Sequence, residues 1–158
     1  MTESVVVDAP RVTRKTFSYR TAIQWLGGRV GVLASKEKTP FRVSSPPEFK
    51  GDGRLWSPED LLVGALNACM MATFVALAER GDLPVRGYTS EAEGLLEFVD
   101  GGYRLTRVTV RPSVLVSDAT AADAARKTLE DAHRKCIVSN SIRAEVRLEP
   151  TVEAAPDR

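Results

Sequence analysis

Residues 57–81 read SPEDLLVGALNACMMATFVALAERG, and the fold turns on how they are read. Their ends are punctuated as a helix. Ser57 is an N-cap residue, Pro58 suits the first helical position, and Glu59 and Asp60 place carboxylates where the helix dipole is positive. Asp60, three residues after Ser57, completes a capping box. Gly81 is expected to close the C-terminus in the left-handed conformation, and Pro84 forbids an early restart. Between these ends Leu61, Leu62, Val63, Leu66, Met70, Met71, Phe74, Val75 and Leu77 leave no polar face, so the helix is expected to be buried all round. At about 1.5 Å per residue it spans roughly 34 Å. A membrane span is the rival reading, since about 20 apolar residues cross a bilayer. Only Leu61–Ala78 is free of charge, Asn67 and Thr73 interrupt it, and no basic cluster flanks it. A central helix wrapped by sheet, from one chain or more, is the reading that follows.

The bulk composition narrows the function classes. The chain has 158 residues, 43% hydrophobic and 27% charged, with a net charge of +1 from 22 basic and 21 acidic side chains. That fits one globular domain over residues 1–158. The balanced charge carries no footprint for nucleic acid or an anionic membrane. The start, MTESVVVDAP, has neither the basic nor the apolar block of a signal peptide, which makes a cytoplasmic location the expectation. In a reducing compartment two cysteines are free, catalytic or metal-binding rather than a structural disulfide.

Upstream of the helix, residues 1–10 read as a loose arm. Val12–Arg20 alternates with period two and is expected to be a strand running on through Ala22–Trp25 to the turn Gly27-Gly28. Arg29–Ala34 and Phe41–Val43 are short strand candidates, and residues 44–56 a loop, either a plain connector or the rim of a pocket. Downstream, Arg86–Val99 and Tyr103–Val116 flank Asp100-Gly101-Gly102, a hairpin signal. Ser117 or Asp118 then caps a second helix whose Ala121, Ala122, Ala125, Leu129 and Ala132 form an amphipathic stripe ending at Cys136. Residues 137–140 suggest a short turn, Ala144–Leu148 a last strand, and 150–158 a loose tail. Strands before, between and after two helices imply an α+β fold with a mostly antiparallel sheet.

Three readings of the cysteines stand side by side. They are small core residues, because free cysteine is among the most buried types. Or they are metal ligands, His133 and Cys136 making H-x-x-C with Cys69 as a third donor, although no C-x-x-C pair is present. Or Cys69 is a nucleophile. Mid-helix it gains little from a helix N-terminus, so its thiolate needs a nearby cation, and burial of that cation needs a carboxylate.

The residues around the cysteines match a known pattern. SPEDLLVGALNAC, with Glu59 ten residues before Cys69, resembles the P-E-x-L…A-C motif of the OsmC/Ohr family (osmotically inducible protein and organic hydroperoxide resistance protein). CIVSNSI, from Cys136, resembles that family's C-P-x-S-N-A. Gly27-Gly28-Arg29, thirty residues before Glu59, resembles its early G-G-R segment. The resemblance implies an interwoven homodimer, with sheets wrapped around long central helices, and a thiol-dependent peroxidase. On it, Cys69 is the peroxidatic cysteine that becomes a sulfenic acid, and Cys136 the resolving cysteine that forms the disulfide. Arg29 stabilises the thiolate and Glu59 orients the arginine. Organic hydroperoxides, and hydrogen peroxide beside them, are the implied substrates, and a dithiol, lipoyl-like as in the Ohr branch, the reductant. No metal or other cofactor is implied.

Helix geometry adds a point of its own. Ten residues place Glu59 roughly 15 Å from Cys69 along the axis and about 80° around it. They cannot touch within one straight helix, so either Arg29 spans the gap or a second chain brings its own Glu59. Ile137 where proline is usual, Met70 and Met71 where a phenylalanine segment is common, and Val30 where Ohr members often carry Asp point to a general OsmC-like member. The alternative function on the same fold is a non-catalytic protein that binds an apolar or thiol-reactive small molecule.

Overall fold

A computed structural model describes residues 15–155. The central helix, α1, spans Pro58–Arg80 and begins as its sequence requires. The Ser57 hydroxyl accepts the Asp60 N–H at 3.0 Å, and the Asp60 carboxylate accepts the Ser57 N–H at 2.9 Å. Its other end differs from expectation. Gly81 has φ −97°, and the left-handed residue is Asp82, at φ 50°. Leu83 N–H returns to the Ala78 carbonyl at 2.9 Å and Asp82 N–H to Glu79 at 3.3 Å, the pair of bonds of a Schellman closure. Aspartate holds the position because short polar side chains tolerate that conformation.

Before α1 come β1 (Ala22–Gly27), β2 (Val30–Ala34) and β3 (Phe41–Ser44), an antiparallel sheet in that order. After it come β4 (Val85–Val99) and β5 (Gly102–Val116), a long antiparallel hairpin. Its turn has φ 53° at Asp100 and 82° at Gly101, as a tight two-residue loop demands. Helix α2 (Thr120–Lys135) then leads to β6 (Glu145–Leu148) and β7 (Thr151–Ala154). Asp118 caps α2 by accepting the Ala121 N–H at 3.1 Å. Both closing strands run parallel to β5, end to end along one of its edges, with Pro150 interrupting the ladder between them. The fold is therefore α+β, antiparallel in its hairpins, with its parallel strand pairs where α2 provides the crossover.

Two terminal expectations are corrected. The strand over Val12–Arg20 is absent where it is described: Lys15–Arg20 is exposed and joins no ladder among the described residues. An alternating pattern makes a strand only with a partner, and β1 is paired only with β2. The tail is not loose up to Ala154, because β7 docks on β5. The arm at 1–10 and the last three residues lie outside the described residues.

All-round burial of α1 is also not met within one chain. Leu66, Met70, Phe74 and Ala78 are buried, a stripe at four-residue spacing, packed on Val108, Val110, Val114 and Val116 of β5 and on Ala121, Ala125, Leu129 and Ala132 of α2. Leu62, Met71 and Val75 keep 38, 43 and 36% exposure on the other side. By length and composition α1 would also suffice to cross a membrane, yet its buried stripe gives it a packed core on β5 and α2.

The three-stranded sheet has the complementary problem. Register places Ile23, Trp25, Gly31, Leu33, Phe41 and Val43 on one face. Ile23 and Trp25 are 66 and 74% exposed, because no helix among the described residues covers them. This sheet joins the rest through a bridge between Val43 and Trp56, just ahead of α1.

Candidate active site

Cys69 lies at the middle of α1 and Cys136 closes α2. The α2 helix stops there because Cys136 turns to ψ 118°, out of the helical range. The residues after it hold that exit. Asn140 Nδ2 donates to the Arg134 and Cys136 carbonyls, each at 3.0 Å, satisfying acceptors that a helix end leaves open. Ser139 N–H donates to Cys136 Sγ at 3.5 Å, and the Ser141 hydroxyl to the Ile137 carbonyl at 2.7 Å. The serine–asparagine–serine run is thus the brace of the turn that presents Cys136 to α1. Its pattern was visible as CIVSNSI, but its use as a brace was not.

The two thiols are free and are neighbours where α1 packs on α2, close enough for each to act on the other's ionisation. Their environments differ. Burial pushes the Cys69 thiol up, but the Val138 N–H, the Cys136 thiol, the Ile137 N–H and the Thr73 hydroxyl together outweigh it and hold the thiol below its ordinary value. Cys136 is fully buried, and there burial dominates. The Ser139 N–H pulls the other way, but the bond to Cys69 and the charge on that sulfur reinforce burial and keep Cys136 protonated. One sulfur has its pKa lowered and is partly open to solvent, and the other is a sheltered thiol whose pKa is raised. Such a pair suits nucleophilic attack by Cys69 followed by condensation with Cys136.

Glu59 lies elsewhere. It lines a cavity of about 590 Å³ at the N-terminal half of α1, among Trp56, Val63, Asn67, Gly94 and Leu105, and its Oε2 is buried without a hydrogen-bond partner. Arg29 is exposed in the β1–β2 turn, where its carbonyl accepts the Ser45 N–H at 3.3 Å. It forms no ion pair with a described residue. Of the four expected site residues, one chain therefore brings Cys69 and Cys136 together and leaves Glu59 and Arg29 apart from them. His133 buries Nδ1 without a partner, and no group of three or more His, Cys, Asp or Glu able to hold a metal occurs among the described residues.

The sequence model for OsmC-like proteins matches residues 51–151. The chain belongs to the OsmC-like family. The match includes Glu59, Cys69 and Cys136 but not Arg29. The OsmC-like chain is 31% identical over 130 residues to the uncharacterized protein YmaD of Bacillus subtilis (strain 168), covering 79% of this chain and 86% of that one. An OsmC-like protein of unknown function from Vibrio cholerae has the same fold, with a TM-score of 0.78 at 23% identity, over 85% of this chain and 99% of that one. An organic hydroperoxide resistance protein from Elizabethkingia anophelis superposes with a TM-score of 0.72 at 20% identity, over 90% of this chain and all of the other.

Proposed function

We propose that this OsmC-like protein is a homodimeric, cysteine-based hydroperoxide reductase. The observation that carries the reading is the contact between a half-open Cys69 held toward thiolate and a buried Cys136 held toward thiol. The Cys69 thiolate attacks the distal oxygen of a hydroperoxide. The O–O bond breaks, the alkoxide takes a proton and leaves as the alcohol, and Cys69 becomes a sulfenic acid. Cys136 then attacks that sulfur through its own, and its proton leaves with the hydroxyl as water. A dithiol reduces the resulting disulfide by two exchange steps and is itself oxidised. Likeness to relatives named for organic hydroperoxide resistance supports an organic peroxide as substrate. Free thiols and dithiol recycling suit the reducing cytoplasm.

The partner is a second copy of the chain. Each copy has an apolar sheet face without a helix (Ile23, Trp25, Leu33, Phe41) and an apolar helix side without a sheet (Leu62, Met71, Val75). A two-fold pairing covers both reciprocally. On this reading the dimer also supplies the cation that the half-buried thiolate lacks in one chain, Arg29, with Glu59 as its carboxylate. The unpartnered Oε2 of Glu59 is an acceptor of the kind such an arginine requires.

The test is a thiol count after stoichiometric cumene hydroperoxide on reduced protein, with Cys69→Ser and Cys136→Ser beside it. Wild type should lose both thiols to an intramolecular disulfide, and Cys136→Ser should trap a sulfenic acid at Cys69. Survival of both thiols in excess peroxide would refute the catalytic reading. Arg29→Ala should abolish turnover while the protein stays folded.

A further inference from the structure

Thr73 sits one helical turn after Cys69, and its hydroxyl donates to the Cys69 carbonyl at 2.8 Å. That bond is surplus to the helix. The carbonyl of residue 69 already receives the N–H of residue 73 in the α-helical ladder, so the hydroxyl can leave it without opening the backbone. Threonine is also a poor choice on propensity alone, being β-branched in a helix interior. The only other polar side chain between Leu61 and Ala78, apart from Cys69, is Asn67. Asn67 has a tertiary use: its Oδ1 accepts the Ser90 hydroxyl at 2.5 Å, tying α1 to β4. Thr73 has no such use among the described residues, but it lies one turn along α1 from Cys69. In helices threonine divides between two χ1 rotamers, which lets one hydroxyl serve two acceptors.

We infer that Thr73 is a positioning residue for Cys69, its hydroxyl donating to the Cys69 carbonyl while the thiol is protonated and turning to the sulfur once the thiolate forms. The hydroxyl keeps its proton throughout. The proton lost from the thiol goes to solvent on the half-open side. The inference rests on Cys69 being the nucleophile of the proposed function. It agrees with the hydroxyl being among the groups that act on the Cys69 thiol, after burial, the Val138 N–H, the Cys136 thiol and the Ile137 N–H. On the elements packed about α1 the titratable groups are Cys136 at the end of α2, His133 one turn earlier and Tyr88 on β4, while Glu59 lies more than two turns away up α1. Glu59, His133 and Tyr88 each bury a polar atom without a partner, while Cys136 is the one that meets the sulfur.

The experiment is site-resolved alkylation by iodoacetamide, read at the Cys69 peptide from neutral to alkaline pH. It compares wild type with Thr73→Val, which keeps the shape and removes the hydroxyl, and Thr73→Ser, which keeps the hydroxyl. Thr73→Ala is a second variant lacking the hydroxyl, should valine perturb folding, and far-UV circular dichroism checks α1. Thr73→Val and Thr73→Ala should move the Cys69 midpoint upward, with roughly tenfold slower labelling at neutral pH for each unit moved. All rates should converge where Cys69 is wholly thiolate, and Thr73→Ser should keep the wild-type midpoint. An unmoved midpoint without the hydroxyl overturns the inference, and so does a serine variant displaced as far as the valine one. Labelling needs no peroxide, so the two proposals fail separately. A displaced midpoint in a protein inert to peroxide sinks the peroxidase reading and leaves Thr73 its role. Peroxide turnover with an unmoved midpoint does the reverse.

Discussion

Trp25→Ala tests the reciprocal packing of two copies. Trp25 is 74% exposed on β1, on the same face as Ile23, Leu33 and Phe41. A buried tryptophan removes about 150–250 Å² from water, so the exposed share here is about 110–185 Å². At about 25 cal/mol per Å² its complete covering contributes roughly 3–4.5 kcal/mol per copy. Interfaces rarely realise the full area value, and halving it leaves about 1.5–2 kcal/mol. A two-fold interface contains the contact twice, which makes about 3–4 kcal/mol, or two to three orders of magnitude in Kd. The assay is sedimentation velocity over a concentration series, with Trp25→Phe as a control that keeps a ring and removes only the indole N–H. That N–H donates to the Gly28 carbonyl at 3.1 Å inside the β1–β2 turn. The expected result is a large weakening for alanine and a small one for phenylalanine. A wild type that stays monomeric at every concentration, or an alanine variant that dimerises as tightly as wild type, would refute the reasoning.

Three further outcomes follow from the same coordinates. Iodoacetamide at neutral pH should label Cys69 first and Cys136 only as the fold opens, since burial pushes the Cys136 thiol up and closes it off; peptide mass spectrometry showing equal rates would contradict this. Phe74→Ala, at a fully buried ring 5.4 Å from Tyr88, should cost about 3–5 kcal/mol in urea unfolding at fixed protein concentration. A loss below about 1 kcal/mol would mean that the α1 stripe is not the core. Asp118 has its carboxyl lowered by the Thr120 hydroxyl, then the Ser117 hydroxyl and the Ala121 N–H. Its contribution is therefore complete above the unfolded value of about 3.9 and is lost as pH falls through the lower folded one. The stability gap between wild type and Asp118→Ala should narrow below that pH, and a gap independent of pH would exclude the carboxylate as the cap.

The ends of α1, the Asp100–Gly101 turn and the amphipathic stripe of α2 are set by neighbours within about four residues, and capping, turn and periodicity rules act over that range. That is why they are legible in the sequence, save that Asp82 and not Gly81 takes the left-handed conformation closing α1. The pairing of motifs around Glu59, Cys69 and Cys136 was legible too, as a resemblance. The chain alone could not say that the turn after Cys136 lies against Cys69, because that meeting depends on α1 and α2 packing through Met70, Leu129 and their neighbours. The resemblance gave the two cysteines different roles, but composition could not say how their environments differ, since burial and hydrogen-bond donors separate them. Alternation over Val12–Arg20 misled for the same reason, as a period-two pattern states which faces differ and not whether a ladder partner exists. The sequence by itself determined where the helices and the long hairpin lie, the two thiols, and a helix with no polar face. Only the tertiary structure decided which of its faces is buried, which thiol has its pKa lowered, and which apolar faces one chain leaves uncovered. Those outcomes depend on contacts between residues far apart in the chain, which local chemistry does not encode.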